Sequence, residues 1–235
     1  MIPEIAALLP PSLATFGTRV AVASGGAGGR PVASLRDRAV FDGVLDGFGA
    51  AYPRADRRSL VSLWSQNYLA ALVIPCATAL LCLDRVLPVA LEETGLELDA
   101  AHAPARLLLP GAGRAGAPAG GRFALLVAGH LRPFVGLCAA HGGPSPRVLW
   151  GNAGVMLDFT LRELVAAAPV LAAPRAEAEA LLGWRSGRAS PTSPLAQTFR
   201  PGSPCDGPCR RVCCTRYRLP GVPSCGALCP VQPPT

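Results

Sequence analysis

The carboxyl-terminal end of the chain concentrates residues that could bind a metal. Six of the nine cysteines lie within the last 31 residues, and four of them form two pairs, Cys213 with Cys214 and Cys225 with Cys229. Thiolates are soft ligands that favour zinc and iron–sulfur clusters. Pro230 follows the last cysteine directly, as in bacterial cluster-binding motifs. The spacing therefore predicts a metal-binding segment at this end.

Spacing alone leaves three interpretations of this segment open. A structural zinc site usually has two Cys-x-x-Cys knuckles, and the adjacent Cys213 and Cys214 fit that pattern poorly because neighbouring side chains diverge. A two-iron cluster is wider and can accept adjacent thiolates where the backbone turns. Disulfides or unliganded thiols are the third interpretation. In each case Leu219-Pro220-Gly221 is predicted to reverse the chain and return Cys225 and Cys229 towards the first pair.

The composition excludes some function classes. The net charge is +7, yet all 22 basic residues are arginine, and Arg, Ala, Gly and Pro dominate the sequence. That bias is typical of a GC-rich coding sequence, and no arginine stripe alternates with aromatic residues, so we expect no nucleic-acid partner. The first residues lack the features of a secretory signal. We therefore expect a cytoplasmic location, where cysteines are thiols or metal ligands.

The apolar periodicity predicts a mainly α fold, that is α+β with a minor sheet. Asp56 is predicted to cap a helix that begins near Arg57. Pro75 is predicted to kink or restart this helix, which ends near Asp84. The most apolar stretch, residues 68–83, is shorter than a membrane-spanning helix and is predicted to be a buried pair of helical segments. Further helices are predicted over residues 123–140, 152–167 and 174–182, and strands over residues 96–98 and 106–109.

Loops and boundaries complete this prediction. Pro133 is expected to interrupt the second long helix, and Asn152 is expected to be the N-cap of the third. Residues 24–29 and 111–121 are predicted loops. The second loop contains Gly-x-Gly-x-x-Gly, but the prolines and glycines that follow prevent the helix start that a dinucleotide would need. The predicted domains are a helical domain over residues 1–184, a linker over 185–204 and a cysteine-rich segment over 205–235.

Few other residues of the helical domain suggest chemistry. His130 lies in an apolar run and is interpreted as a core or cleft residue. Trp64 and Tyr68 lie one helical turn apart and share a face, which either packs in the core or lines a ligand cleft. The cysteines of apolar segments are expected to act as small hydrophobic residues, namely Cys76, Cys82 and Cys138.

The cysteine segment resembles the carboxyl-terminal signature of the FhuF-like ferric siderophore reductases. The resemblance rests on RVCCTRYRLPG at residues 211–221 and CGALCP at residues 225–230. Weaker landmarks of the same family are Leu63-Trp64-x-x-x-Tyr68, LWGNA at residues 149–153 and Ser193-Pro194-Leu195. The similarity spans roughly residues 55–230.

This resemblance implies a cytoplasmic reductase that holds a 2Fe–2S cluster on Cys213, Cys214, Cys225 and Cys229. The cluster would reduce siderophore-bound Fe(III) to Fe(II), which oxygen-donor chelators bind far less well. The implied partners are a ferric siderophore, most typically of the hydroxamate type, and an unidentified electron donor. A loose association with the inner membrane is also considered. Trp64, Tyr68, Trp150 and Asn152 would line the siderophore cleft.

One departure from the family pattern concerns the second cysteine pair. The family usually separates that pair by two residues, whereas three residues separate Cys225 and Cys229 here. Cys205 and Cys209 are therefore alternative ligands. A zinc-binding structural or interaction module and a siderophore-biosynthesis protein are the alternative functions. Several arginines surround the segment and are either solvated or attract anionic ferric complexes, namely Arg200, Arg210, Arg211, Arg216 and Arg218.

Overall fold

A computed structural model describes residues 1–23, 29–118, 120–183, 193–200 and 208–231. The described part is mainly helical with two small sheets, as the periodicity predicts. The helices are α1 (Pro3–Ala6), α2 (Arg38–Gly49), α3 (Arg57–Leu83), α4 (Arg132–Gly142), α5 (Pro146–Ala167) and α6 (Ala172–Leu182). The strands are β1 (Val20–Val22), β2 (Arg30–Pro31), β3 (Arg85–Val86), β4 (Gly95–Leu98), β5 (Pro104–Leu109) and β6 (Arg114–Ala115).

Helix α3 forms the centre of the core, and the other helices pack around it. The Asp56 carboxylate accepts a hydrogen bond from the backbone N–H of Ser59 at 3.1 Å, which confirms the predicted N-cap. By length and composition this helix could cross a membrane, but 83% of its most apolar window is buried within the protein. The same helix is longer than the apolar stretch that the sequence indicates, because polar residues such as Ser62 and Gln66 extend it while remaining buried.

The larger sheet has the strand order β1-β5-β4-β2. Strand β1 pairs with β5 in parallel, with Val20 opposite Leu107, and β4 pairs with β5 antiparallel, with Leu96 also opposite Leu107. Strands β3 and β6 form a separate two-stranded sheet. The predicted strands at residues 96–98 and 106–109 are confirmed. The pairing places the loop after β4, which contains Asp99, beside the amino-terminal half of α3.

Two helix predictions are wrong. The predicted restart of the helix at Pro75 is wrong, because α3 is continuous from Arg57 to Leu83 and burial of Pro75 among its neighbours holds the helix despite the lost backbone hydrogen bond. The kink at Pro75 stays a prediction. Asn152 is not an N-cap, because α5 begins at Pro146 and places Asn152 in the second turn of the helix. Proline is favoured at a first helical turn, where the missing N–H costs nothing. Helix α2, capped by Asp37, was not predicted.

The remaining predictions concern α6, the irregularity near Pro133, the first loop and the linker, and the structure describes only part of the residues involved. Helix α6 ends at Gly183, as predicted. Residues 125–131 form a π-helical segment that leads into α4, so the expected irregularity lies just before Pro133. The loop predicted at residues 24–29 lies outside the described residues except for Gly29. Within the predicted linker only residues 193–200 are described, with Leu195 and Phe199 buried, and the domain boundaries stay a prediction.

His130 lies in the core, in contact with aromatic side chains of α3 and α4. Its Nε2 atom is 2.6 Å from the Tyr68 hydroxyl oxygen, and its Nδ1 atom faces the Val89 carbonyl oxygen. A carbonyl oxygen only accepts hydrogen bonds, so Nδ1 carries the proton and Nε2 accepts from Tyr68. Tyr68 stacks on Phe134 with ring centroids 4.1 Å apart. Burial lowers the pKa of His130 to about 4.

This histidine should make the fold sensitive to acid. A histidine regains a pKa of about 6.5 when the chain unfolds, so between pH 6.5 and 4 the unfolded chain binds the additional proton. The free energy of unfolding should therefore fall by about 2 kcal/mol between pH 7 and pH 5. Urea unfolding of His130→Gln at both pH values should show a smaller fall in the free energy of unfolding than the wild type shows. The control His102→Asn, at an exposed residue with φ +57°, should retain the wild-type difference.

Candidate functional site

Backbone hydrogen bonds join the cysteine segment to residues 198–200, which lie within the predicted linker. Phe199 and Arg210 form an antiparallel bridge, in which Arg200 N donates to Cys209 O at 2.9 Å and Arg211 N donates to Thr198 O at 2.8 Å. Arg210 N also donates to Leu228 O at 2.9 Å. Residues on both sides of the undescribed stretch 201–207 are thereby fixed against each other.

A buried polar cluster connects α3 and α5 with this segment. The Asn152 side-chain amide donates to Ser62 and Ser65 of α3, at 3.3 and 3.2 Å. Its oxygen accepts from Nη2 of Arg210, whose side chain is only 2% exposed. The Ser62 hydroxyl donates to the Cys214 carbonyl oxygen at 2.6 Å. The position of Cys214 thus depends on polar groups near the amino-terminal ends of α3 and α5.

Arg210 is a buried cation without a carboxylate partner among the described residues. Its side-chain hydrogen bonds go to Asn152 and to the Val212 carbonyl oxygen. The pKa of Cys214 is lowered and the pKa values of Cys213 and Cys225 are raised overall, and the Arg210 charge acts in the lowering direction on all three thiols. Burying an unpaired charge is costly. The cysteine sulfurs are therefore the natural counter-ions of this guanidinium.

Two glycines of α5 allow the segment to approach that helix closely. Gly151 lies beside Arg210, with 3.5 Å between the place of a Cβ and Nη2. At Gly154, a Cβ would overlap Oγ1 of Thr198 and lie 2.9 Å from its Cβ. The Gly-Asn-Ala-Gly sequence of α5 thus allows Thr198 and Arg210 to pack closely against this helix.

Replacing Gly154 by Ala should displace residues 193–200 and the cysteine segment from α5. We expect trypsin to cleave the cysteine segment of Gly154→Ala at least about tenfold faster than the cysteine segment of the wild type. Local opening of the contact with α5 would expose the arginines of this segment to the protease. Far-UV circular dichroism should be unchanged. Gly136→Ala is the matched control, because a Cβ there meets nothing within 4 Å. Equal cleavage of both variants would contradict this account of Gly154.

Two turns bring the cysteines together. Thr215 follows Cys214 directly and has φ +59°, a conformation that β-branched residues rarely adopt. This turn directs the Thr215 N–H to the Cys213 sulfur at 3.3 Å. At Leu219-Pro220-Gly221 the chain reverses, with Val222 N donating to Leu219 O at 3.1 Å and Gly221 at φ +74°. Proline followed by glycine suits a type II turn, and the predicted reversal is confirmed.

Cys214 and Cys225 form the best-defined pair of sulfurs. Their Sγ atoms are 4.0 Å apart, and no disulfide joins them. The hydrogen bond from Cys225, the Arg210 charge and the Arg216 N–H and charge lower the pKa of Cys214 to about 5 against the effect of burial. The pKa of Cys225 is raised, mainly because its proton is shared with Cys214. Cys214 is thereby favoured as a thiolate.

The other cysteines differ in their surroundings. Burial raises the pKa of Cys213, whose sulfur faces the Thr215 N–H. The Cys209 thiol faces the backbone carbonyls of Arg210 and Cys229, at 3.6 and 4.0 Å. Cys205 lies outside the described residues. Within the described residues, no three His, Cys, Asp or Glu side chains are grouped closely enough to hold a metal ion.

A cavity of about 550 Å³ adjoins the cysteine segment. Arg216 and Leu228 of the segment form one side, and side chains of α3 and α5 form much of the remainder. A larger cavity of about 930 Å³ lies near Gly113 and Arg114 and has no lining residue from the cysteine segment. Of these two cavities, the smaller is the one that adjoins the cysteine segment, through Arg216 and Leu228.

The aromatic landmarks do not line a cleft. Trp64 and Tyr68 are 1% and 0% exposed and stack on each other in the core, with centroids 5.7 Å apart. Trp150 is half-buried and packs against the core, and Asn152 is buried and holds Arg210. The cleft interpretation is wrong for Trp64, Tyr68 and Asn152, which are buried, and Trp150 is not among the lining residues of either cavity. Ser62, Ser65 and Gln66, polar residues on one face of an apolar helix, were the signal that sequence reasoning missed.

The chain is similar to known proteins over much of its length. A family model described as "Ferric iron reductase FhuF-like transporter" matches residues 62–192, from α3 to just beyond α6. A protein named "Ferric siderophore reductase", from Escherichia coli (strain K12), is 28% identical over 178 residues. The aligned region covers 73% of this chain but 65% of that relative, slightly less than two thirds of its length.

Proposed function

The chain belongs to the FhuF-like ferric iron reductase family, and from this premise we propose that it reduces siderophore-bound Fe(III) by means of a 2Fe–2S cluster. Cys213, Cys214, Cys225 and Cys229 would hold the cluster. The observation that carries the proposal is the approach of Cys214 and Cys225 to 4.0 Å beside a buried arginine. The proposed place of action is the cytoplasm, where a separate electron donor would supply the electron.

The residues around the sulfurs suit such a group. Two thiolates on one tetrahedral metal, with bonds of about 2.3 Å, lie about 3.8 Å apart, close to the separation of Cys214 and Cys225. The Thr215 N–H and the Arg216 N–H face sulfurs of the first cysteine pair. Hydrogen bonds to the sulfurs and nearby positive charge stabilise an electron-rich cluster. The Arg210 guanidinium provides that charge in a buried position.

The chemistry of the substrate explains why such a cofactor would be useful. Siderophores bind Fe(III) through hard oxygen donors, and Fe(II) binds these donors far less well. When bound, a 2Fe–2S cluster transfers one electron at a time, which is the change that converts chelated Fe(III) to Fe(II). An all-cysteine cluster can have a potential near about −400 mV. No histidine follows His141, so all-cysteine ligation is expected.

The protein's own residues would position the sulfurs and limit their exposure to water. Ser62 fixes the Cys214 carbonyl from α3, and Asn152 fixes Arg210 from α5. Leu219 is buried in the main core and anchors the turn between the two cysteine pairs. The helical domain would thus be a rigid support for the cofactor and, through the adjoining cavity, for the substrate.

A single-turnover experiment tests the proposed activity. The protein is purified anaerobically, reduced with dithionite, freed of excess reductant and mixed with a ferric hydroxamate in the presence of an Fe(II)-specific chromogenic chelator. We expect about one Fe(II) per cluster, with the cluster absorbance returning at the same rate. Return of the absorbance without any Fe(II) would contradict reduction of chelated iron.

A further inference from the structure

The cavity beside the cysteine segment is positively charged. Of its lining side chains, Arg19, Arg162 and Arg216 are cationic, and Asp99 is the acidic one among them. Leu63, Ala70 and Ile74 of α3 and Met156 and Phe159 of α5 provide an apolar wall. At about 550 Å³ the cavity has the size of a small-molecule site.

The three arginines differ in whether their side chains already have hydrogen-bond or ion-pair partners within the protein. Arg19 donates to the carbonyl oxygens of Pro104 and Ala105, at 3.2 and 3.0 Å. Arg162 is paired with Asp158 at 3.1 Å. Nε of Arg216, in contrast, is buried and is the sole buried side-chain nitrogen or oxygen without a hydrogen-bond partner in the described part of the chain. Such groups are rare in native proteins and call for an explanation.

Arg216 also connects the cavity with the sulfurs. It follows Cys214 by two residues, and its backbone N–H and its charge both act on that sulfur. Leu228, which precedes Cys229, lines the same cavity. A molecule held by the Arg216 side chain would therefore lie directly against the cysteine segment.

We propose that this cavity binds the ferric chelate and that Arg216 selects chelates with free carboxylates and a net negative charge. The inference rests on the proposed function and adds the substrate class. A carboxylate would be attracted by the positive charge that Arg19, Arg162 and Arg216 give the cavity. A hydroxamate siderophore fits this class when its arms carry carboxylates that do not coordinate the iron, whereas a neutral trihydroxamate offers Arg216 no anionic group.

Binding can be measured without electron transfer by using Ga(III), which has the charge of Fe(III) and is not reduced under these conditions. Two probes are titrated calorimetrically into the anaerobically purified full-length protein at low ionic strength. One is the anionic Ga(III) complex of a citrate-linked dihydroxamate whose arms carry free carboxylates, and the other is the neutral Ga(III) complex of a trihydroxamate. We expect the wild type to bind the anionic probe at least about tenfold more tightly.

Variants of two neighbouring arginines locate the effect. Arg216→Gln should weaken the anionic complex by about tenfold and change the neutral one by less than about twofold. Arg216→Lys, which keeps the charge, should retain part of the preference. Arg218→Gln is the matched control, because Arg218 is exposed, lies over the Tyr217 ring and does not line the cavity. It should bind both probes as the wild type does.

Several outcomes would overturn the inference. These are equal affinity for the two probes, binding of neither, or equal losses in Arg216→Gln and Arg218→Gln, which would indicate general surface charge. The cluster spectrum of each preparation is recorded first. Because Ga(III) binding requires no electron, its failure in a protein with an intact cluster would refute the cavity assignment alone. A protein that never acquires a cluster would refute the proposed function instead.

Discussion

Replacing Cys214 by Ser should abolish cluster binding. Cys214 is buried, its sulfur faces Cys225 at 4.0 Å, and the charges of Arg210 and Arg216 favour its thiolate. A serine hydroxyl keeps the size of the side chain but is a far poorer ligand for a soft metal centre. We expect the iron content of Cys214→Ser to fall below about one tenth of the wild-type value, with loss of the visible absorbance. The helical content should be unchanged, because the core is centred on α3.

Two further variants make this expectation specific. Cys82→Ser replaces a half-buried cysteine of α3, outside the cysteine segment, and should retain the full iron content. Cys209→Ser should do so as well, since that thiol faces backbone carbonyls. A cluster that survives in Cys214→Ser but is lost in Cys209→Ser would show that the ligand set is different from the proposed one.

Removing the Arg210 charge should lower the midpoint potential of the cluster. A reduced cluster carries one more negative charge than an oxidised one, so a buried cation nearby favours the reduced form. With an effective dielectric constant near 20, a unit charge several ångströms away contributes on the order of 2 kcal/mol, or roughly 80 mV. We therefore expect Arg210→Met to lower the potential by about that amount in a spectroelectrochemical titration.

Controls must separate this charge effect from a structural effect. Arg210→Lys keeps a positive charge and should recover much of the potential even where the hydrogen bond to Asn152 is weakened. Arg211→Met removes an exposed charge next in sequence and should shift the potential by less than about 20 mV, because water and salt screen it. If Arg210→Met and Arg211→Met had equal potentials, the buried guanidinium would have no part in tuning the cluster.

Much of the fold follows from local signals in the sequence. The structure confirms three predictions that depend only on neighbouring residues. These are the N-cap at Asp56, the shared helix face of Trp64 and Tyr68, and the end of α6 before Gly183. The turn at Pro220-Gly221 is equally local. Family membership was also recognisable, because its landmarks are short and lie in contiguous stretches of the chain.

The predictions that failed depend on contacts between distant residues. Asn152 resembles a cap in sequence, but its role is set by Arg210, 58 positions away, and by Ser62, 90 positions away. The sequence could not decide whether Trp64 packs in the core or lines a cleft, because that depends on the elements that surround α3. The unpaired Nε of Arg216 could not be predicted, because its burial depends on how the cysteine segment packs against other parts of the chain. Hydrophobic periodicity cannot predict contacts between residues that are distant in sequence, since none of these residues stands out within its own segment.

The most direct test of the central claim is iron and acid-labile sulfide analysis of anaerobically purified protein, with electron paramagnetic resonance after dithionite reduction. The account predicts two irons and two sulfides per chain, and one unpaired electron per cluster in the reduced protein. It also predicts that the signal is absent from Cys214→Ser. A wild-type protein that stays colourless after reconstitution with iron and sulfide, or that contains zinc in place of iron, would contradict it.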